Sequence, residues 1–124
     1  MTGMNNRETF LKTEPEMDIT QFAKTELDLV YADESPNQIL DVFYPEDGEG
    51  PYPLVIVFHG GAFAAGHKRT HYIKSMCLPV TQGYAVATVE YRLLQEAKWP
   101  AQLIDGKAAI RYLRANAEKL NLDP

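Results

Sequence analysis

The sequence predicts an α/β fold in which an antiparallel hairpin is followed by a βαβα run. Three observations carry that expectation. Leu54-Val55-Ile56-Val57-Phe58 is apolar without interruption, as a strand covered on both faces must be. A second such run, Tyr84-Ala85-Val86-Ala87-Thr88-Val89, follows at crossover distance. From Pro100 onward, Leu103, Gly106, Ile110, Leu113, Ala117 and Leu120 step by three and four, the spacing of one helix face.

Taken in order, residues 1–25 are polar and weakly patterned. They read as an N-terminal arm or cap-like segment with one short helix near Ile19 to Lys24. The remaining residues, 26–124, read as one partial domain. In Glu26 to Tyr31 the residues Leu27, Leu29 and Tyr31 alternate onto one face of a half-buried strand. Asp33-Glu34-Ser35-Pro36-Asn37 is a turn, since Pro36 presets φ and Asn37 tolerates a left-handed backbone. Gln38 to Tyr44 is the returning strand of the hairpin. Pro45 to Pro53 is punctuation, and His59 to Gly66 is a glycine-containing loop. His71 to Gln82 is expected as a helix interrupted near Pro79, with Gly83 as its stop. Pro100 suits a helix start, and the last helix is expected from Ala101 to Leu120, about 30 Å long. No strand follows it.

Composition narrows the function classes. The chain has 124 residues, 12 basic and 17 acidic, for a net charge of −5. An acidic balance argues against a nucleic-acid binder. Residues 1–62 carry 3 basic and 12 acidic side chains, and residues 63–124 carry 9 and 5, so the halves attract and suit one body. The single cysteine, Cys77, excludes an internal disulfide framework and reads as a small core residue. No run reaches the roughly 18 apolar residues of a membrane span, and Met1 to Phe10 lacks a signal-peptide core, so the expected compartment is the cytoplasm.

The chemistry concentrates in His59-Gly60-Gly61-Ala62-Phe63, directly after the most apolar strand. Adjacent glycines let the backbone turn and converge its N–H groups on open space, where they can stabilise an oxyanion. The plain alternative is a strand-to-loop turn without chemistry. Other pairings are weaker. His67 and His71 are four apart, but Lys68 and Arg69 lie between them and repel a cation, so no metal site is expected. Ser75 and His71 share that spacing, with chance on a surface helix the simpler reading. Glu90 and Arg92 are expected as a structural ion pair, and Asp105 as a partner for a nearby base or loop. Trp99 either lines a substrate mouth or plugs the loop. Lys107, Arg111 and Arg114 read as a solvated helix face.

His59 to Phe63, with Gly66 following, resembles the HGG[GA][FW] oxyanion loop of α/β-hydrolase esterases. Val89-Glu90-Tyr91-Arg92-Leu93 resembles their V-x-YRL stretch. Glu96, Pro100, Ala101 and Asp105 match the YRLxxEx₃PAxxxD spacing, and Asn121 to Pro124 the segment before the nucleophile strand. The resemblance runs from about Leu27 to Pro124 and points to the hormone-sensitive-lipase-like and feruloyl- or acetylxylan-esterase-like branch. It implies Ser-Asp/Glu-His catalysis through an acyl-enzyme on a small ester, with no metal or cofactor. It also implies oxyanion donors among the N–H groups of Gly60, Gly61 and Ala62, a structural His59, and a pocket narrowed by the Ala62 methyl.

The family nucleophile sits in G-x-S-x-G. The only serines here, Ser35 and Ser75, lack flanking glycines. The chain is therefore expected to be the N-terminal half of such a sheet, truncated before the nucleophile strand and inactive alone, with the triad beyond Pro124. An amide or peptide hydrolase of arylformamidase-like or prolyl-peptidase-like type is the alternative within the fold. A non-catalytic binding or assembly module is the alternative outside catalysis. An unpaired apolar strand edge at Leu54 to Phe58 is expected to drive self-association or to receive a C-terminal partner half.

Overall fold

A computed structural model describes residues 15–124. Four strands, β1 (Lys24–Val30), β2 (Ile39–Tyr44), β3 (Leu54–Phe58) and β4 (Ala85–Val89), form one sheet in the order β1-β2-β4-β3. β1 and β4 both run antiparallel to β2, while β3 and β4 are parallel. The parallel pair is joined by the short helix α1 (Ile73–Met76) and a 3-10 turn, Leu78–Gln82. The helix α2 (Ala101–Ala115) follows β4. The expected hairpin and βαβα order are present.

Strand alternation divides the core. Leu40 and Val42 of β2 and Ala85, Ala87 and Val89 of β4 face Ala109 and Leu113 of α2. Phe43, Val57 and Val86 face the other way, onto Ile73, Cys77 and Met17. The sheet is thus covered on both faces, which is why β3 and β4 tolerate unbroken apolar sequences.

Four expectations are corrected. The alternation through Leu27, Leu29 and Tyr31 is broken by a bulge, because the register slips between Glu26 and Leu29. Asp28 takes φ +54°, its N–H is held by the Asp41 carboxylate at 2.8 Å, and Leu27 turns outward while Tyr31 stays buried. The short helix expected near Ile19 to Lys24 is a 3-10 turn over Ile19–Gln21, after which Lys24 already belongs to β1. The helix expected over His71 to Gln82 is split at Cys77, with Pro79 in the 3-10 turn and Gly83 closing it at φ +88°.

The last helix stops at Ala115 rather than Leu120. Asn116 caps it by donating from Nδ2 to the Tyr112 carbonyl, and Asn121 at φ +56° turns the chain again. Ala117, Leu120 and Leu122 are buried from these turns. Its buried residues are Ala101, Gln102, Asp105, Ala109 and Leu113, so the expected stripe is buried from Leu113 onward, while in the first turns Gln102 and Asp105 are buried in place of Leu103. Leu103 and Ile104 are about half exposed. Apolarity alone misplaced the start of the face, because the core contact there includes two polar side chains.

β3 forms one edge of the sheet. Pro53 accepts from Ala85 on the β4 side, while Tyr52 donates to Asn121 and accepts from Asp123 on the opposite side. Tyr52 and Leu122 make an isolated parallel bridge there. Residues 121–123 therefore begin a further rung outside β3. The N-terminal segment packs on the body from Pro15, through Pro15–His71 and Met17–Arg69 backbone bonds. Residues 1–14 of the expected arm lie outside the described residues.

Candidate active site

β3 and β4 end side by side, with Phe58 opposite Val89, so His59 and Glu90 occupy the next rung. His59 is buried and its ring stacks on Tyr91 at 4.3 Å between centroids and 9° between planes. Its Nδ1 lies 2.8 Å from the Gly60 carbonyl, and its Nε2 lies 3.3 Å from Oε1 of Glu90. The Tyr91 hydroxyl donates to the His59 carbonyl at 2.6 Å. These contacts clamp the start of the glycine loop from beneath.

The loop then reverses through left-handed backbone. Gly61 has φ +127°, Ala62 φ +54° and Phe63 φ +60°. Ala64 and Ala65 donate back to the Gly61 carbonyl at 3.0 and 3.1 Å. A Cβ on Gly61 would lie 2.1 Å from the Ala65 oxygen, so only glycine closes this turn. Among the described residues, nothing accepts from the N–H groups of Gly60, Gly61 or Ala62, all exposed on the loop. The return limb is pinned by Leu94, whose N–H donates to Phe63, and by Gln95, whose Nε2 donates to Ala64.

Beside the loop lies a groove of about 480 Å³. Phe58, Phe63, Tyr91, Trp99, Leu103 and Ile110 supply most of its wall. Trp99 is 55% exposed and packs on Phe63 at 5.3 Å, so it stands at the rim rather than plugging the loop. The groove is mainly apolar, with the loop backbone on one side and Lys107 on another.

The other residues singled out from sequence are placed elsewhere. The expected Glu90–Arg92 pair does not form. Arg92 instead binds the buried Asp105 through Nε and Nη2, at 2.8 Å for the shortest contact, and reaches Glu34 at 3.1 Å. The Asp105 carboxylate holds the guanidinium proton, raising the Arg92 pKa. Asp105 also accepts from the Arg92 N–H and from Gln38. Ser35 donates to Glu96 and Ser75 donates to the Tyr72 carbonyl, so neither meets a histidine. His67 is buried and accepts at Nδ1 from the Arg69 N–H, while His71 is exposed, and neither lies on a helix. Among the described residues no three His, Cys, Asp or Glu side chains gather as a metal site. No helix among them is long and apolar enough to cross a membrane. Burial pushes the Cys77 thiol up to about 11.

Two features were missed from sequence. The His59–Glu90 contact was legible in principle, since each residue directly follows one of two parallel strands. The second is an ionic cluster behind the loop. Asp41 is fully buried on β2, with Arg69 Nε at 2.7 Å and Lys68 Nζ at 3.2 Å, and Lys68 also bonds Asp28 at 2.7 Å. It ties the end of the glycine loop to the β1 bulge, and no sequence spacing pairs residues 28 and 41 with 68 and 69.

Residues 40–124 match the family model BD-FAE. Esterase LipC of Mycobacterium tuberculosis is 31% identical over 96 residues, which cover 77% of this chain and 24% of that protein. Carboxylesterase NlhH of the same organism is 34% identical over 83 residues, covering 67% and 26% respectively. The structure of a hyperthermophilic esterase from the archaeon Pyrobaculum calidifontis superposes with a TM-score of 0.70 at 29% identity, over 94% of this chain and 39% of that one. The chain spans about a quarter of the length of the curated relatives it matches.

Proposed function

We propose, from the premise that this chain belongs to the BD-FAE family of α/β-hydrolase-fold enzymes of carboxylesterase and lipase type, that it supplies the oxyanion-hole loop of a serine carboxylic ester hydrolase. The observation that carries the proposal is the loop backbone itself. The N–H groups of Gly61 and Ala62 have no acceptor among the described residues, and they sit at the mouth of an apolar groove.

When a nucleophile adds to an ester carbonyl, the oxygen gains a negative charge. Two fixed backbone donors stabilise that charge more than the neutral carbonyl, because they are already oriented. Each such donor is worth on the order of 10² to 10³ in rate. Gly60 and Gly61 leave room for the carbonyl to approach, and Ala62 presents a methyl in place of a third glycine. The apolar wall of Phe63, Tyr91 and Trp99 suits a small acyl or aryl group.

The nucleophile, its base and its orienting acid belong to residues outside these 124. Ser35 and Ser75 are committed to Glu96 and Tyr72, and no G-x-S-x-G occurs in the chain. The loop without a nucleophile retains at most a small residue of catalysis.

A fluorophosphonate probe, which labels activated serines, tests this. The source extract is treated with the probe, and the polypeptide carrying this sequence is captured with an antibody to it and mapped by mass spectrometry. The label is expected on a serine outside residues 1–124, within a polypeptide that contains or retains this chain. The isolated chain is expected to stay unlabelled and to leave p-nitrophenyl acetate unhydrolysed. Label on Ser35 or Ser75 overturns the proposal, and so does capture of this chain with no labelled serine at all.

A further inference from the structure

We propose that Gln102 is a positioning residue for the Ala62 N–H: its amide closes the turn after β4 into a bracket, and the bracket reaches that donor through two peptides of the glycine loop. The proposal rests on the reading of the loop as an oxyanion hole, but its test reads position and not hydrolysis.

Gln102 lies in the first turn of α2, where side chains lean back toward the helix N-terminus. From there its Nε2 donates to the Arg92 and Ala97 carbonyls, at 2.9 Å each. Both amide hydrogens are used, and the orientation is fixed, since a flipped amide would set its oxygen against two carbonyls. Asp105, three residues on and on the same helix face, accepts from the Arg92 N–H at 2.9 Å. The Ala97 N–H donates to the Leu93 carbonyl at 3.0 Å. Residues 92–97 are thus gripped at both ends by their backbone groups, although Leu94, Gln95 and Glu96 between them are exposed.

The amide is not explained by its oxygen. Gln102 is 5% exposed, and its Oε1 is buried and accepts no hydrogen bond among the described residues. A buried acceptor without a donor is a cost that an apolar side chain of similar length avoids. What an apolar side chain cannot supply is the pair of N–H groups that joins Arg92 to Ala97.

The middle of the bracket holds the loop. The Leu94 N–H donates to the Phe63 carbonyl at 2.8 Å, and Gln95 Nε2 to the Ala64 carbonyl at 2.9 Å. Each of those carbonyls belongs to a trans peptide whose N–H points the opposite way. These are the N–H groups of Ala64 and Ala65, and both donate to the Gly61 carbonyl. That carbonyl belongs in turn to the trans peptide that carries the Ala62 N–H. Holding the Gly61 oxygen on one side therefore aims the Ala62 N–H on the other. The path runs from Gln102 through the ends of the bracket, through two peptides bonded at both ends, to one of the proposed donors.

Backbone order parameters from nuclear magnetic resonance relaxation test this, on the full 124-residue chain in dilute solution. In Q102M, which lacks both the N–H groups and the orphaned oxygen, the Ala62 amide is expected to fall from about 0.85 to below about 0.6 while the amides of β4 stay near 0.85. The urea midpoint of Q102M is expected within about 0.5 M of the native one, because removing the buried acceptor offsets the lost bonds. Q95A changes an exposed side chain and cuts the bracket from Ala64, so Ala62 order is expected to fall there too, by less. Native-like Ala62 order in either variant overturns the proposal. So does a Q102M chain that fails to fold or whose midpoint moves further, since the amide would then serve stability rather than position. Failure of the esterase reading shows in the fluorophosphonate label and leaves these readouts unchanged; failure here leaves the labelled serine in place.

Discussion

Replacing glycines one at a time along the loop separates a built turn from a loose connection. Gly61→Ala meets two penalties. Alanine at φ +127° is strained, by about 1–2 kcal/mol on the scale of left-handed backbone. Its Cβ would also lie 2.1 Å from the Ala65 carbonyl oxygen, where real contacts stay above 3.0 Å, so that carbonyl must retreat by close to an ångström. Such a shift breaks the two bonds from Ala64 and Ala65 to the Gly61 oxygen, each worth about 0.5–1.5 kcal/mol. The total is about 2–5 kcal/mol. Gly60→Ala is the internal control. Its φ is ordinary and its added Cβ meets only the Tyr72 hydroxyl at 3.5 Å, so it should change stability by less than about 1 kcal/mol. Urea unfolding followed by far-UV circular dichroism measures both. With a slope of about 2 kcal/mol per molar, Gly61→Ala should lower the midpoint by about 1–2.5 M. Equal midpoints for the two variants would refute the claim that this turn requires glycine, and with it the built geometry of the donors.

Other expected outcomes come from the charged core. Asp105→Leu leaves Arg92 without its buried partner and should cost about 3–5 kcal/mol, read from the same urea curves; a loss below 1 kcal/mol would show that Arg92 finds water instead. Asp28 is held below the usual carboxylate range, first by its hydrogen bond from Lys68, so its folded pKa lies below its unfolded one. Its contribution is then present above about pH 4 and is lost as pH falls through the lower folded value, and Asp28→Asn should flatten that part of the stability-pH curve, an effect that salt weakens because Asp28 is more than half exposed. Cys77, buried and raised to about 11, should react with a thiol reagent at pH 8 only when urea opens the fold, and rapid labelling of the native chain would contradict its placement. The β3 edge and the exposed Phe58, Trp99 and Leu103 should make the isolated chain associate in light scattering, and a stable monomer across micromolar concentrations would count against that expectation.

Sequence legibility followed the physics of each element. The unbroken apolar runs of β3 and β4 marked a two-sided sheet because burial on both faces leaves no polar positions. The glycine pair marked the loop because only glycine satisfies its geometry at Gly61. Where local pattern and long-range charge compete, the pattern misled. Leu27 alternates correctly with Leu29, yet Asp28 is pulled into a bulge by Asp41 and Lys68, and the alternation is lost. The stripe on α2 is genuine, but Asp105 and Gln102 hold the buried face because Arg92 and the loop carbonyls lie beneath them. Ion pairs across 13 or more residues leave no periodic trace, so the sequence matches Arg92 to Glu90 while the fold matches it to Asp105 and Glu34.

The arrangement also bears on how the proposed oxyanion loop can be shaped by this chain's own residues. Among the described residues, the contacts that bend the Gly60–Ala62 backbone come from residues 59–95: the His59 ring, the Tyr91 and Tyr72 hydroxyls, Ala64 and Ala65, and the Leu94 and Gln95 pins. Those residues are delivered by β3, β4 and the connection between them, and β3 and β4 are neighbours in the sheet. The entropy of ordering the loop is therefore met by the folding of this unit, before any serine approaches it. A catalytic hole that must wait for its nucleophile to form would have to spend transition-state stabilisation on its own ordering. One assembled in advance presents its donors at no further cost when charge develops, which is the condition under which such donors accelerate a reaction.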